Sequence, residues 1–200
     1  MRVLGVQIWV PLQILMEETM RALRTILTLA VSLLLMAAVS PAQNAETSDA
    51  DYVKQALSAA PPAIADAAVV IRMDKAGAMR TLRPGTNGFT CMVMGADKMC
   101  NDANSMAFIH AMMMHTPPPD KIGISYMLAG DDGASNTDPY ARAQTADNHW
   151  IVTGPHIMLF GPAAKTLGLT EAKDPDPTQP YMMWAGTPYE HAMIPIAPPK

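Results

Sequence analysis

The chain is poor in cysteine, in aromatic residues and in charge. Of 200 residues, two are Cys, three Phe and three Trp, and 16% are charged. Two cysteines exclude a disulfide-stapled miniprotein and a four-thiolate zinc site. Sparse charge beside 50% apolar residues excludes a disordered, highly charged tail. The net charge is -4 and no basic run is present to neutralise phosphates, so nucleic acid is not an expected partner. The chain also lacks a phosphate loop, a dinucleotide fingerprint, C-x-x-C-H and H-E-x-x-H. Ser125, in Gly123-Ile124-Ser125-Tyr126-Met127, and Ser135, in Gly133-Ala134-Ser135-Asn136-Thr137, both miss the G-x-S-x-G pattern of a hydrolase nucleophile. What is abundant is methionine and proline, at 18 each.

The N-terminal segment has the three parts of a secretory signal. Met20-Arg21-Ala22-Leu23-Arg24 is a positive n-region, and Ile26 to Val39 is a charge-free apolar run of 14 residues. Ser40-Pro41-Ala42 then offers small residues where a signal peptidase reads, with cleavage expected after Ala42 and Ala45 as second choice. Glu17 and Glu18 put negative charge ahead of the n-region, so residues 1–19 read as an upstream extension and Met20 as the natural start. A retained anchor would need about 20 apolar residues, and this run is shorter. Segment 1–42 is therefore expected to be a cleaved signal, leaving a periplasmic or secreted chain with no membrane association. That chain keeps 11 basic and 16 acidic residues and 14 methionines. Export places Cys91 and Cys100 in an oxidising compartment, where a pair separated by turn residues Gly95 to Lys98 is expected to close as a disulfide.

No fixed-period repeat and no long linker divides the remainder, so residues 51–200 are expected to form one domain behind a flexible lead-in at 43–50. Helical spacing runs from Asp51 to Ala59, and Pro61-Pro62 can open a short second helix. Strand-like segments are Val69 to Met73, Met79 to Leu82, Phe89 to Met94, Ile122 to Leu128, Trp150 to Thr153, His156 to Phe160, Tyr181 to Trp184 and His191 to Ile196. A further helix is expected from a cap at Asn104 or Ser105, ending at Thr116-Pro117-Pro118-Pro119, and a short one from Pro162 to Leu167. Consecutive strands with the helices placed early point to an α+β class: a single compact domain with a mostly antiparallel sheet and a few short helices.

Three groups of residues carry chemistry. Thioethers beside imidazoles suit Cu(I) in an exported protein, and Met106, His110 and Met114 fall at i, i+4 and i+8 on one helix face. The plainer role for methionine is an adaptable core filler replacing the scarce Phe. His156 and His191 each follow a turn and open an apolar strand, a layout that combines access with rigidity. The loop Gly130 to Tyr140 is polar and acidic; Asp131, Ser135, Asn136 and Asp138 offer oxygens, and Tyr189 stands beside His191 in sequence. Such side chains equally brace loops through turns to their own backbone.

The segments Gly85 to Cys91, Ala134 to Ala141, Thr153 to His156 and Ala185 to His191 resemble a group of uncharacterised exported bacterial proteins. The resemblance spans Ala60 to Ile196. It implies export and a single compact domain, and it carries no activity and no site residue. The expected function is thus an exported small-molecule or metal-binding domain. Its ligand contacts would come from Asp131, Ser135, Asn136, Asp138 and Tyr189, and a metal, copper or zinc, would sit on His156 and His191. The alternatives are a small hydrolase-like acid–base enzyme, pairing His156 or His191 with Asp138 or Glu190, and an envelope protein-interaction module presenting exposed Met, Trp and Pro.

Overall fold

The computed structural model describes residues 47–74 and 76–199; the expected signal, 1–42, lies outside them. Helix α1 (Asp49–Leu57) starts where Ser48 Oγ accepts the Asp51 N–H at 3.1 Å. It therefore begins within the expected lead-in, two residues before Asp51. Pro62 sits in the first turn of α2 (Pro62–Ala65), where a missing N–H costs nothing.

Strands β1 (Val69–Met73) and β2 (Met79–Arg83) form a hairpin, as do β3 (Thr90–Met94) and β4 (Asp97–Asn101). The second turn is tighter than the expected 95–98: Gly95 takes φ +62°, and Asp97 already belongs to β4. Cys91 and Cys100 are register partners across this hairpin and are joined by a disulfide, with Cα atoms 3.9 Å apart. Helix α3 (Ala103–Met113) follows; its cap is Asp102, whose Oδ1 accepts the Ser105 N–H at 2.7 Å. Asn104 and Ser105, the expected caps, lie inside the helix. Then come β5 (Gly123–Met127), the short β6 (Ala134–Ser135) and β7 (Trp150–Ile151), β8 (His156–Phe160), α4 (Pro162–Lys165), β9 (Tyr181–Met183) and β10 (His191–Pro195).

Eight strands make one mixed sheet in the order β2-β1-β3-β4-β5-β8-β10-β9. β1 and β3 run parallel and every other neighbouring pair is antiparallel. With its few short helices, the described domain is of the α+β kind. β6 and β7 pair apart from the sheet as a separate ribbon.

Side chains alternate between the two faces of a strand, and here the faces differ in chemistry. On one face the disulfide and Val70 pack against Ala56, Ala59, Ala65 and Ala68, whose small side chains let α1 and α2 lie close to the sheet. On the other, Met92, Met99, Met127, Met158, Met183 and Met193 are buried with Phe160 and Tyr181, under Phe108 and Ile109 of α3. Methionine does the packing that Phe and Leu do elsewhere, and its flexible thioether fills an irregular interior. No described helix is long and apolar enough to cross a membrane.

The disulfide closes a short loop and is wholly buried beneath α1. Replacing both Cys91 and Cys100 by Ser should lower the unfolding free energy by about 2–3 kcal/mol, measured by urea titration. An unchanged midpoint would show that the β3–β4 hairpin is held by packing alone.

Candidate functional site

A cavity of about 460 Å³ opens on the methionine face. Its position follows from strand register. Met127 of β5 pairs with His156 of β8, and His156 pairs with Pro195 of β10; two residues further along β8, Met158 pairs with Met193. His191 pairs with Met183 of β9. Because side chains alternate, His156, Met158, His191 and Met193 all emerge on one side, and all four line the cavity. The described fold thus brings the two histidines to one concavity.

Both rings are buried, His156 at 0% and His191 at 1% exposure. Their Nδ1 atoms lie 2.7 Å from the Gly154 carbonyl and 3.0 Å from the Tyr189 carbonyl, respectively. A carbonyl can only accept, so each Nδ1 carries the proton and donates it. Burial disfavours the imidazolium, lowering the pKa of His156 and pushing that of His191 down to about 4. Both are therefore neutral, with the lone pair on Nε2. His156 Nε2 is buried and has no hydrogen-bond partner.

The two ends of the cavity differ. At the His156 end stand Asp131 and Asp97. Asp131 Oδ1 accepts N–H bonds from Thr153 (2.8 Å) and Gly133 (3.0 Å), yet burial still lifts its pKa to about 6. Burial also raises Asp97, and the neighbouring carboxylates of Asp131 and Asp132 add to the rise. At the other end His191 sits among rings: Trp184 at 4.8 Å, Phe160 at 4.9 Å and Phe108 at 6.1 Å between centroids. Trp184 holds φ +58°, uncommon for a bulky residue. It is pinned there by its indole N–H to the Ser135 carbonyl (2.8 Å) and its backbone N–H to the Asn136 carbonyl (3.0 Å).

The residues between β6 and β7 form a cover. Pro139, Ala141 and Arg142 face the cavity. The polar residues around them are engaged within the protein. Ser135 Oγ accepts from the N–H groups of Thr137 and Asp138, and Asp138 Oδ1 from Tyr140 N–H. Asn136 Nδ2 donates to the carbonyls of Ala172 and Lys173, and His149 meets Asp174 at 2.9 Å. Tyr189 donates its hydroxyl to the Thr116 carbonyl and packs on Phe108 and Tyr140; Tyr140 in turn stacks on His115 at 4.1 Å. Of the five expected contacts, Asp131 alone lines the cavity, while Ser135, Asn136, Asp138 and Tyr189 hold its cover in shape.

Neither carboxylate proposed as a histidine partner reaches a ring. Asp138 is engaged in its turn, and Glu190 Oε2 accepts from Lys165 Nζ and Gly186 N–H, each at 3.1 Å. Since backbone carbonyls occupy both Nδ1 atoms, the expected His–Asp or His–Glu pair is not formed. The two histidines are also offset along the sheet. His191 lies four residues from the partner of His156, about 13 Å along the strand, with Met158 and Met193 between. Among the described residues no group of three or more His, Cys, Asp or Glu is arranged to hold a metal. The helix set also separates: Ser105, Phe108, Ile109 and Ala111 form the buried face of α3, leaving Met106 partly buried and His110 and Met114 exposed.

Sequence reading missed Asp97, hidden in an expected turn, and Trp184, whose left-handed backbone no local pattern signals. It also read the methionines one by one. Among the described strands, Met92 and Met94 of β3 were the one period-two pair available as a sign of a shared face.

The shifted groups act oppositely on stability. Between pH 6.5 and about 4 the unfolded chain protonates its His191 while the folded chain does not, so acid destabilises the fold. Asp131 holds its proton up to about pH 6 when folded, so it adds stability as pH falls from there toward 3.8. His191→Gln should therefore remove about 2 kcal/mol of the stability lost between pH 7 and pH 5. Asp131→Asn should raise the melting temperature at pH 7 and steepen the acid-side loss. Thermal melts across that range test both, and parallel curves for wild type and His191→Gln would contradict the burial of a neutral imidazole.

No protein-family model matches the chain, and neither a curated protein nor a solved structure matches it.

Proposed function

We infer that the protein is an exported binding domain that holds a small, largely apolar ligand in the methionine-lined cavity. The observation that carries this is the bare Nε2 of His156, fully buried in the wall of a 460 Å³ space. Cavities of roughly 300–1,000 Å³ with apolar walls and a few convergent polar groups suit small ligands. A buried acceptor left without a partner costs about 1–3 kcal/mol, and a ligand group placed against it removes that cost. The ligand's body lies against Met158, Met193 and Trp184. A donor or cationic group meets His156 with Asp97 and Asp131 close by. The signal-like segment 20–42 and the closed disulfide support export.

An acid–base enzyme is the second reading. Asp131, with its pKa at about 6, shares the cavity with the unprotonated His156 Nε2. The acid and base would then be Asp131 and His156, in place of the Asp138 or Glu190 pairings.

Nile red, a neutral dye that fluoresces in apolar surroundings, tests the cavity. Titrated into the full chain it should give saturable, blue-shifted emission. Met158→Trp and Met193→Trp, which fill the space, should each reduce that signal strongly, whereas Met113→Trp on the exposed side of α3 should not. Equal emission from all four proteins would remove the proposal.

A further inference from the structure

We propose that the His156 end of the cavity is a Cu(I) site, with His156 Nε2 and the thioethers of Met127, Met158 and Met99 as its donors. This rests on the cavity being a binding site and assigns its His156 end a metal ion in place of the donor or cationic group of an organic ligand. The donors are set by register. Met127 is the direct partner of His156 on β5, and Met158 lies two residues along β8, about 6.6 Å away on the same face. Cys100 pairs with Tyr126, which puts Met99 beside Met127 on the next strand. Adjacent strands lie about 4.8 Å apart, and methionine's rotatable side chain spans such a gap. All four residues are buried and line the one cavity.

The choice of metal follows from the donors. Thioethers are soft and select Cu(I), whereas carboxylates and water suit hard divalent ions. Structural or catalytic zinc takes Cys, His and carboxylate ligands, and no such group assembles among the described residues. His156 is already prepared as a ligand: its Nδ1–H is held by the Gly154 carbonyl at 2.7 Å, which fixes the ring and leaves Nε2 bare. Neutral donors leave the single positive charge of Cu(I) in place.

The test is a titration of the full chain, expressed with its own N-terminal segment, with Cu(I) against bicinchoninate as competing chelator, in the absence of oxygen. One equivalent of Cu(I) per chain should be withheld from the chelator, with sulfur scatterers around copper in X-ray absorption. Met127→Leu with Met158→Leu keeps side-chain volume and removes two thioethers; it should weaken Cu(I) binding more than about tenfold. His156→Phe should do the same, while His191→Gln, at the other end of the cavity, should bind like wild type. Circular dichroism and Nile red emission of the Met→Leu pair should stay unchanged, separating metal loss from misfolding. Full release of copper to the chelator by wild type, or an unaltered affinity in the Met→Leu pair, overturns the copper assignment. So does loss of binding in a Met113→Leu, Met114→Leu protein. If copper is released while Nile red still saturates, the apolar cavity stands and only its metal falls; loss of both takes the cavity reading with it.

Discussion

The pairing of His156 with Met127 on one side and Pro195 on the other fixes the cavity side of the sheet. Side chains alternate with a period of two, so a slip of one residue would turn His156, Met158, His191 and Met193 to the opposite face together. There they would meet α4 and the small cluster of Ala164, Met182 and Ala192. The register is held by chemistry as well as by shape. Each face is buried against different partners, alanine-rich helices on one side and α3 with the covering loop on the other, so neither tolerates the exchange.

Within that frame the cavity persists because its wall is under-filled and its cover is braced from outside. Methionine supplies apolar bulk without the rigid planes of Phe, and the aromatic rings that are present gather around His191 at one end. The loop over the cavity is held by bonds that point away from it: Asn136 to the Ala172 and Lys173 carbonyls, His149 to Asp174, and Tyr140 onto His115. Its inner surface is left to Pro139, Ala141 and Arg142. Polar residues that look like ligand contacts in sequence are the braces, and the lining is largely made of residues that look like core.

Four of the ionisable groups that face inward share one property. Asp97, Asp131, His156 and His191 are all displaced by burial toward their uncharged forms. Beside these four groups a neutral or singly charged guest is accommodated more readily than a highly charged one. It also keeps the imidazole lone pairs available at pH values where an exposed histidine would be partly protonated.

Much of the architecture was legible along the chain. Strands β1, β8 and β10 begin where their apolar runs begin, and two cysteines in a hairpin close as expected; α3, by contrast, stops at Met113, ahead of the expected prolines, with His115 left-handed at φ +54°. These features depend on neighbours within a few residues, where turn chemistry and period-two patterns act. The two histidines could be singled out because each follows a turn and opens a strand. That their rings face one cavity, that Gly154 and Tyr189 rather than Asp138 or Glu190 take the Nδ1 protons, and that Asp97 joins Asp131 were decided by the tertiary fold. Cross-strand partners in this sheet can stand far apart in the chain, as Met127 and His156 do. Which side chain meets which across such a distance is set by register and by the packing of both faces at once, and no local run of residues contains that information.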